Sequence, residues 1–201
     1  MRVISGSSKG RALKAVTGFG TRPTTDKVKE AIFSIIGPYF AGGSALDLYA
    51  GTGALGIEAL SRGMDRAIFV DADKKCVEVI RANLRATGLS EQAEVYRNDA
   101  ERALNALAKR RMAFELVFLD PPYKNRQMDK VLQILQEEHL IKDGAIAVVE
   151  HDAAHAYPER IGRFSAVRLS EYGDTAVTVY RYETQSIPTG LMGDEQDEER
   201  G

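Results

Sequence analysis

With one cysteine, Cys76, in 201 residues, the chain can form neither an internal disulfide nor a cysteine zinc site. A reducing compartment, the cytoplasm, is therefore expected. No apolar run approaches the ~20 residues that a membrane-spanning helix needs. The opening MRVISGSSKG holds no apolar leader core, so neither an anchor nor a secretory signal is expected. His151 and His155 are spaced H-x3-H, yet no third ligand accompanies them, and no metal is expected. Internal repeats are absent as well. A strong net charge is also missing, since the total is -2.

That small total hides an uneven distribution. Residues 1–30 carry Arg2, Lys9, Arg11, Lys14, Arg22, Lys27 and Lys29 against Asp26 and Glu30, a net of +5. The stretch 184–201 carries five acids against Arg200, a net of -4. A basic front and an acidic tail leave room for a polyanionic partner that the total alone would argue against. The composition, 44% hydrophobic and 28% charged, is that of a globular domain.

The pattern divides the chain in three: a basic hairpin-like arm over 1–23, one α/β domain over 24–183, and a disordered acidic tail over 184–201. In the arm, short extended runs at 2–5 and 11–16 flank a Gly/Ser turn. Apolar residues from Val28 to Phe40 then recur at helical spacing, with Gly42-Gly43 expected to end that helix. Strand-like runs at 45–49, 67–70, 93–96, 114–119 and 145–149 alternate with helix-like runs at 55–62, 74–87, 100–109 and 128–138. Such alternation implies a mostly parallel sheet covered on both faces. Runs at 164–169 and 175–182 around Glu171-Tyr172-Gly173-Asp174 read as a closing antiparallel hairpin. The expected fold is α/β, a Rossmann-like seven-stranded sheet of the class I methyltransferase order, with an N-terminal β-hairpin extension.

Two motifs carry the chemistry. Leu46-Asp47-Leu48-Tyr49-Ala50-Gly51-Thr52-Gly53-Ala54-Leu55-Gly56 follows a strand and opens a helix, where glycines let the backbone approach a ligand. Gly51, Gly53, Gly56 and Asp71 also fit a dinucleotide fingerprint, which leaves an NAD-dependent oxidoreductase as a rival. Asp47 argues otherwise, because a carboxylate repels a pyrophosphate and attracts the ammonium and sulfonium of S-adenosylmethionine (SAM). Asp47, Tyr49, Gly51 and Gly53 are assigned to that cofactor. Asp71, at the next strand end, is placed on the ribose hydroxyls in preference to Asp73. Asp99, after the third strand, is placed on the adenine amine, with helix capping as its other reading.

The second motif is Asp120-Pro121-Pro122-Tyr123, directly after the fourth strand, at the carboxyl edge where such sheets bind ligands. The Asp120 carboxylate and the Pro121 carbonyl can accept the two N–H bonds of a planar amine and aim its lone pair at a methyl donor. Tyr123 can stack on a base taken out of its helix.

Together with Arg2-Val3-Ile4-Ser5-Gly6, Lys9-Gly10-Arg11, Thr21-Arg22-Pro23-Thr24 and Lys29-Glu30-Ala31-Ile32-Phe33, these motifs resemble the RsmD family over residues 1 to about 183. The resemblance implies methylation of a guanine N2 amine, at position 966 of 16S rRNA, on the small ribosomal subunit. It implies Asp120, Pro121 and Tyr123 at the acceptor, SAM as donor, and Arg2, Lys9, Arg11 and Arg22 on RNA phosphates. A cytoplasmic monomer without metal or membrane contact is expected. The hairpin precedes the cofactor loop, so changes of charge there are expected to leave SAM affinity unaltered. D-P-P-Y alone also admits adenine N6 or a glutamine amide as acceptor. A non-catalytic RNA-binding assembly factor is a further alternative.

Overall fold

In the computed structural model, which describes residues 1–16, 25–121 and 128–184, one eight-stranded sheet organises the chain. Five strands run parallel: β1 (Ser44–Leu48), β2 (Arg66–Asp71), β3 (Ala93–Arg97), β4 (Phe114–Leu119) and β5 (Ile141–Asp152). Three antiparallel strands, β6 (Arg160–Ile161), β7 (Phe164–Tyr172) and β8 (Thr175–Tyr182), complete the order β3-β2-β1-β4-β5-β8-β7-β6. The eighth strand is the two-residue β6, too short to leave a periodic trace in the sequence. The class I order and the closing hairpin are as expected.

Helices cover both faces. On one lie α1 (Asp26–Ile36), α2 (Ala54–Ser61) and α3 (Lys74–Thr87), burying Ile32, Phe33, Ile57 and Ile80 against Phe69 and Phe118. On the other lie α4 (Ala100–Lys109) and α5 (Met128–Glu137), burying Leu104, Leu107 and Leu132 against Leu46, Leu48 and Leu119. β2 and β3 extend from one side of β1, and β4 and β5 from the other. The chain reverses direction between β1 and β4, which opens a crevice at their carboxyl ends.

The first helix is shorter than its apolar spacing predicts. Thr25 caps it, its Oγ1 accepting from the Val28 N–H at 3.3 Å, but it stops at Ile36 rather than at Gly42-Gly43. Pro38 disfavours helical backbone at Gly37, whose φ of 123° already departs from it. Phe40 still packs on the core, while Tyr39 is exposed.

The arm forms a narrow hairpin with one bridge, Arg2 opposite Ala12, and backbone bonds Val3 N–H to Arg11 O and Leu13 N–H to Met1 O. It is not a free appendage, because Val3 and Leu13 are buried in the domain's core. Glu58 on α2, fully buried, accepts the N–H groups of Ile4 and Ser5 at 2.8 and 2.9 Å. It is itself paired with buried Lys29 (3.3 Å) and Arg62 (2.7 Å). Ser61 Oγ donates to Ser5 O, and Gly6 sits so close to Ser61 that an added Cβ would lie 1.7 Å from its carbonyl oxygen. Lys29, counted in the net charge of the basic front, is thus an interior cation that also donates to Arg2 O.

Candidate active site

Asp47 points from β1 into the turn that leads to α2. Its Oδ2 accepts from the Gly56 N–H at 2.9 Å, and Gly56 has room for no side chain, since a Cβ would meet the Phe69 ring at 2.4 Å. Burial pushes the Asp47 carboxyl up to about 7, with Asp71 adding a smaller push in the same direction. A buried acid at that value changes charge readily when a cation arrives. Tyr49 turns the chain with a φ of 70°, a conformation that costs a non-glycine residue on the order of 1–3 kcal/mol and concentrates at functional sites.

Asp71, at the end of β2, clamps the glycine loop from the side. Its Oδ2 accepts from the Gly51 N–H and its Oδ1 from the Asp73 N–H, both at 2.8 Å. Asp73 caps α3 through the Lys75 N–H, which separates its role from that of Asp71. Asp99 caps α4, accepting from the Arg102 N–H at 2.9 Å, and pairs with Arg102 Nε at 3.3 Å. Of its two readings, the helix cap is the one the structure displays.

Asp120 stands where β4 ends. The registers Leu48 opposite Leu119 and Leu119 opposite Val149 place it just beyond the end of β1 and beside Glu150, two residues before β5 ends. Its carboxyl is held well above the ordinary carboxylate range, by burial first, then by the negative charges of Glu150 and Asp47. Pro121 is buried beside it. The crevice therefore brings together Asp47, Gly51, Gly53, Asp71 and Asp120 from three strand ends, and its acidic mouth suits a cationic ligand. Among the described residues no group of three or more His, Cys, Asp or Glu is arranged to hold a metal ion.

Other expected residues lie apart. Arg2, Lys9 and Arg11 are exposed on the arm, Arg2 pairing with Asp26 at 3.6 Å. Arg22 and Tyr123 lie outside the described residues, as does the tail beyond Thr184. His151 and His155 share no helix: His151 belongs to β5 and His155 to the loop after it, and both rings pack edgewise on Tyr157.

Sequence reasoning missed Glu150 and Asn83. Glu150 lay beyond the expected strand end at 149, yet β5 continues to Asp152. Asn83 lies on the core stripe of α3, and a polar residue there was the available signal. Fully buried, its Nδ2 donates to Thr52 O in the glycine loop (2.9 Å) and to Lys14 O in the arm (3.1 Å), while its Oδ1 accepts from the Lys14 N–H (2.7 Å).

Comparison with known proteins agrees with this fold. The profile of the family described as conserved hypothetical protein 95 matches residues 1–181. The chain is 53% identical over 181 residues to the putative rRNA methyltransferase YlbH of Bacillus subtilis (strain 168), covering 90% of this chain and 98% of that one. It is 31% identical over 185 residues to ribosomal RNA small subunit methyltransferase D of Escherichia coli (strain K12), covering 92% and 91%. Among solved structures, a putative methyltransferase, yhhF, from Escherichia coli superposes with a TM-score of 0.77 at 31% identity, over 92% of this chain and 99% of that one.

Proposed function

This chain belongs to the RsmD family, described as conserved hypothetical protein 95, and we propose that it is an rRNA methyltransferase that carries a methyl group from SAM to the N2 amine of guanine 966 in 16S rRNA. The observation that carries this reading is the placement of Asp120-Pro121 across the β1–β4 crevice from the Asp47 glycine loop. A donor loop and an amine-orienting acid meet at one sheet edge.

When bound, SAM supplies an electrophilic methyl group on a positively charged sulfur. Asp47 and Asp71 attract that cation and its ribose, with Tyr49, Gly51 and Gly53 shaping the loop around it and Asp99 near the adenine. The Asp120 carboxylate and the Pro121 carbonyl accept the two amine N–H bonds and direct the lone pair, while Tyr123 stacks on the extruded guanine. As the new C–N bond replaces the methyl–sulfur bond, with S-adenosylhomocysteine as the leaving group, the amine becomes acidic, and Asp120, shifted toward holding a proton, takes up the proton it loses. Arg2, Lys9, Arg11 and Arg22 meet RNA phosphates, which position the substrate without reading its sequence. The reading includes a cytoplasmic monomer.

The test is transfer of tritiated methyl from SAM to small subunits, naked rRNA, DNA and ribosomal protein, followed by nucleoside mass spectrometry. Label in N2-methylguanine at position 966 is expected. Label in N6-methyladenine or in protein would overturn the assignment.

A further inference from the structure

We propose that Asn83 is a positioning residue of the cofactor loop, and that through it the N-terminal arm forms part of the SAM site, so that RNA held on the arm and SAM held in the loop favour each other's binding. The inference rests on SAM being the cofactor and on the arm meeting RNA.

The glycine loop has few rigid supports of its own. Asp71 holds it at Gly51, and Asn83 holds the next residue by donating to Thr52 O at 2.9 Å. The same carboxamide closes a two-way pair with Lys14, donating to its carbonyl (3.1 Å) and accepting from its N–H (2.7 Å). One side chain thus satisfies three backbone groups from two segments that are far apart in sequence. The residue is fully buried, so water cannot replace those bonds without a rearrangement. Met1 adds a weaker contact, its sulfur accepting from Thr52 Oγ1 at 3.9 Å. The arm is otherwise anchored away from the loop, on Glu58, Ser61 and Thr87. Asn83 is therefore where a shift of the arm reaches the loop. A polyanion that steadies Lys9 and Arg11 steadies Lys14 a few residues on, and with it Thr52. Linkage then requires that SAM, by fixing Thr52, steadies the arm to the same degree.

On this proposal, loss of charge at Lys9 and Arg11 leaves SAM affinity unaltered without RNA and lowers it with RNA bound.

SAM affinity is measured by calorimetry on the full chain, alone and with saturating small subunits. Asn83→Ala should weaken SAM binding about tenfold, the scale of one buried backbone group left unpaired. Asn83→Asp should weaken it at least as much, because a carboxylate then faces two carbonyl oxygens. Ser8→Ala removes the Ser8 Oγ–Thr87 O bond, which ties the arm to α3 without touching the loop. It should lower thermal stability and weaken SAM binding clearly less than Asn83→Ala does. Subunits should tighten SAM severalfold for the wild-type chain and not for Asn83→Ala. Independently of any variant, SAM should slow hydrogen exchange at the Lys14 amide at least fivefold, and by more than at the Lys9 amide, which is bonded within the arm's own turn. Unaltered SAM affinity in Asn83→Ala, equal losses in Ser8→Ala and Asn83→Ala, SAM binding indifferent to subunits, or no protection of Lys14 would each overturn the proposal. If the wild-type chain fails to bind SAM at all, the cofactor assignment falls and this proposal with it. Normal SAM binding without guanine methylation would overturn only the proposed reaction.

Discussion

Two acids of raised proton affinity set the behaviour of the crevice. Asp47 keeps its proton to about 7, against 3.8 for an ordinary aspartate. An unfolded chain releases that proton near 4, so between about pH 4 and 7 the folded state binds more protons. The SAM-free protein should accordingly lose stability as pH rises through that window. Cation binding demands the carboxylate, so SAM affinity should climb with pH up to about 7 by as much as tenfold per unit and then level off. Calorimetry from pH 5.5 to 8.5 checks this, and Asp47→Asn should give a flatter, weaker profile. Asp120→Ala should cut single-turnover transfer on the order of 10²-fold or more while changing SAM affinity little. Its sequence context pointed to this role, since two prolines after a strand leave few other purposes for an acid. The elevation of its proton affinity was not legible, because it depends first on desolvation in the crevice and then on Glu150 from β5, which the sequence shows only as one more acid near a strand end.

At the scale of elements, the strands and helices were readable because apolar alternation and helical spacing are local signals. The misreadings came from non-local contacts. α2 is buried along its whole length, and the Glu58 within its apolar run signalled an interior charge whose partners lie at 29, 62 and in the arm. Removing one member of such a cluster leaves the others uncompensated. Glu58→Ala should destabilise the fold by about 3–5 kcal/mol. Burial already depresses the Lys29 ammonium against the pull of Glu58, so without that partner it should lose its proton more easily still. Denaturant titration at several pH values measures both effects. A change in stability below 1 kcal/mol would mean that the arm and α1 hold without the cluster.

For the molecule as a whole, charge segregation matters more than net charge. With Lys29 interior and Arg2 paired to Asp26, Lys9, Arg11 and Lys14 remain as the arm's exposed cations, of which Lys9 and Arg11 are the proposed phosphate contacts. Replacing both with glutamine should weaken subunit binding and flatten its salt dependence by about 0.7 in log–log slope per lost contact on single-stranded RNA. Titrations at several salt concentrations decide this, and an unchanged slope would make the arm an ordinary solvated surface. The arm's anchors also bear on the order of assembly. Ile4 and Ser8 bind partners 54 and 79 residues further along, at Glu58 and Thr87, so on a translating ribosome the arm emerges long before anything can receive it. Its docking must be a late event, with Val3 and Leu13 exposed until α3 has been made. Weakening that docking, as in Ser8→Ala, should then accelerate unfolding and leave the refolding rate nearly untouched, the pattern of contacts that form after the rate-limiting barrier.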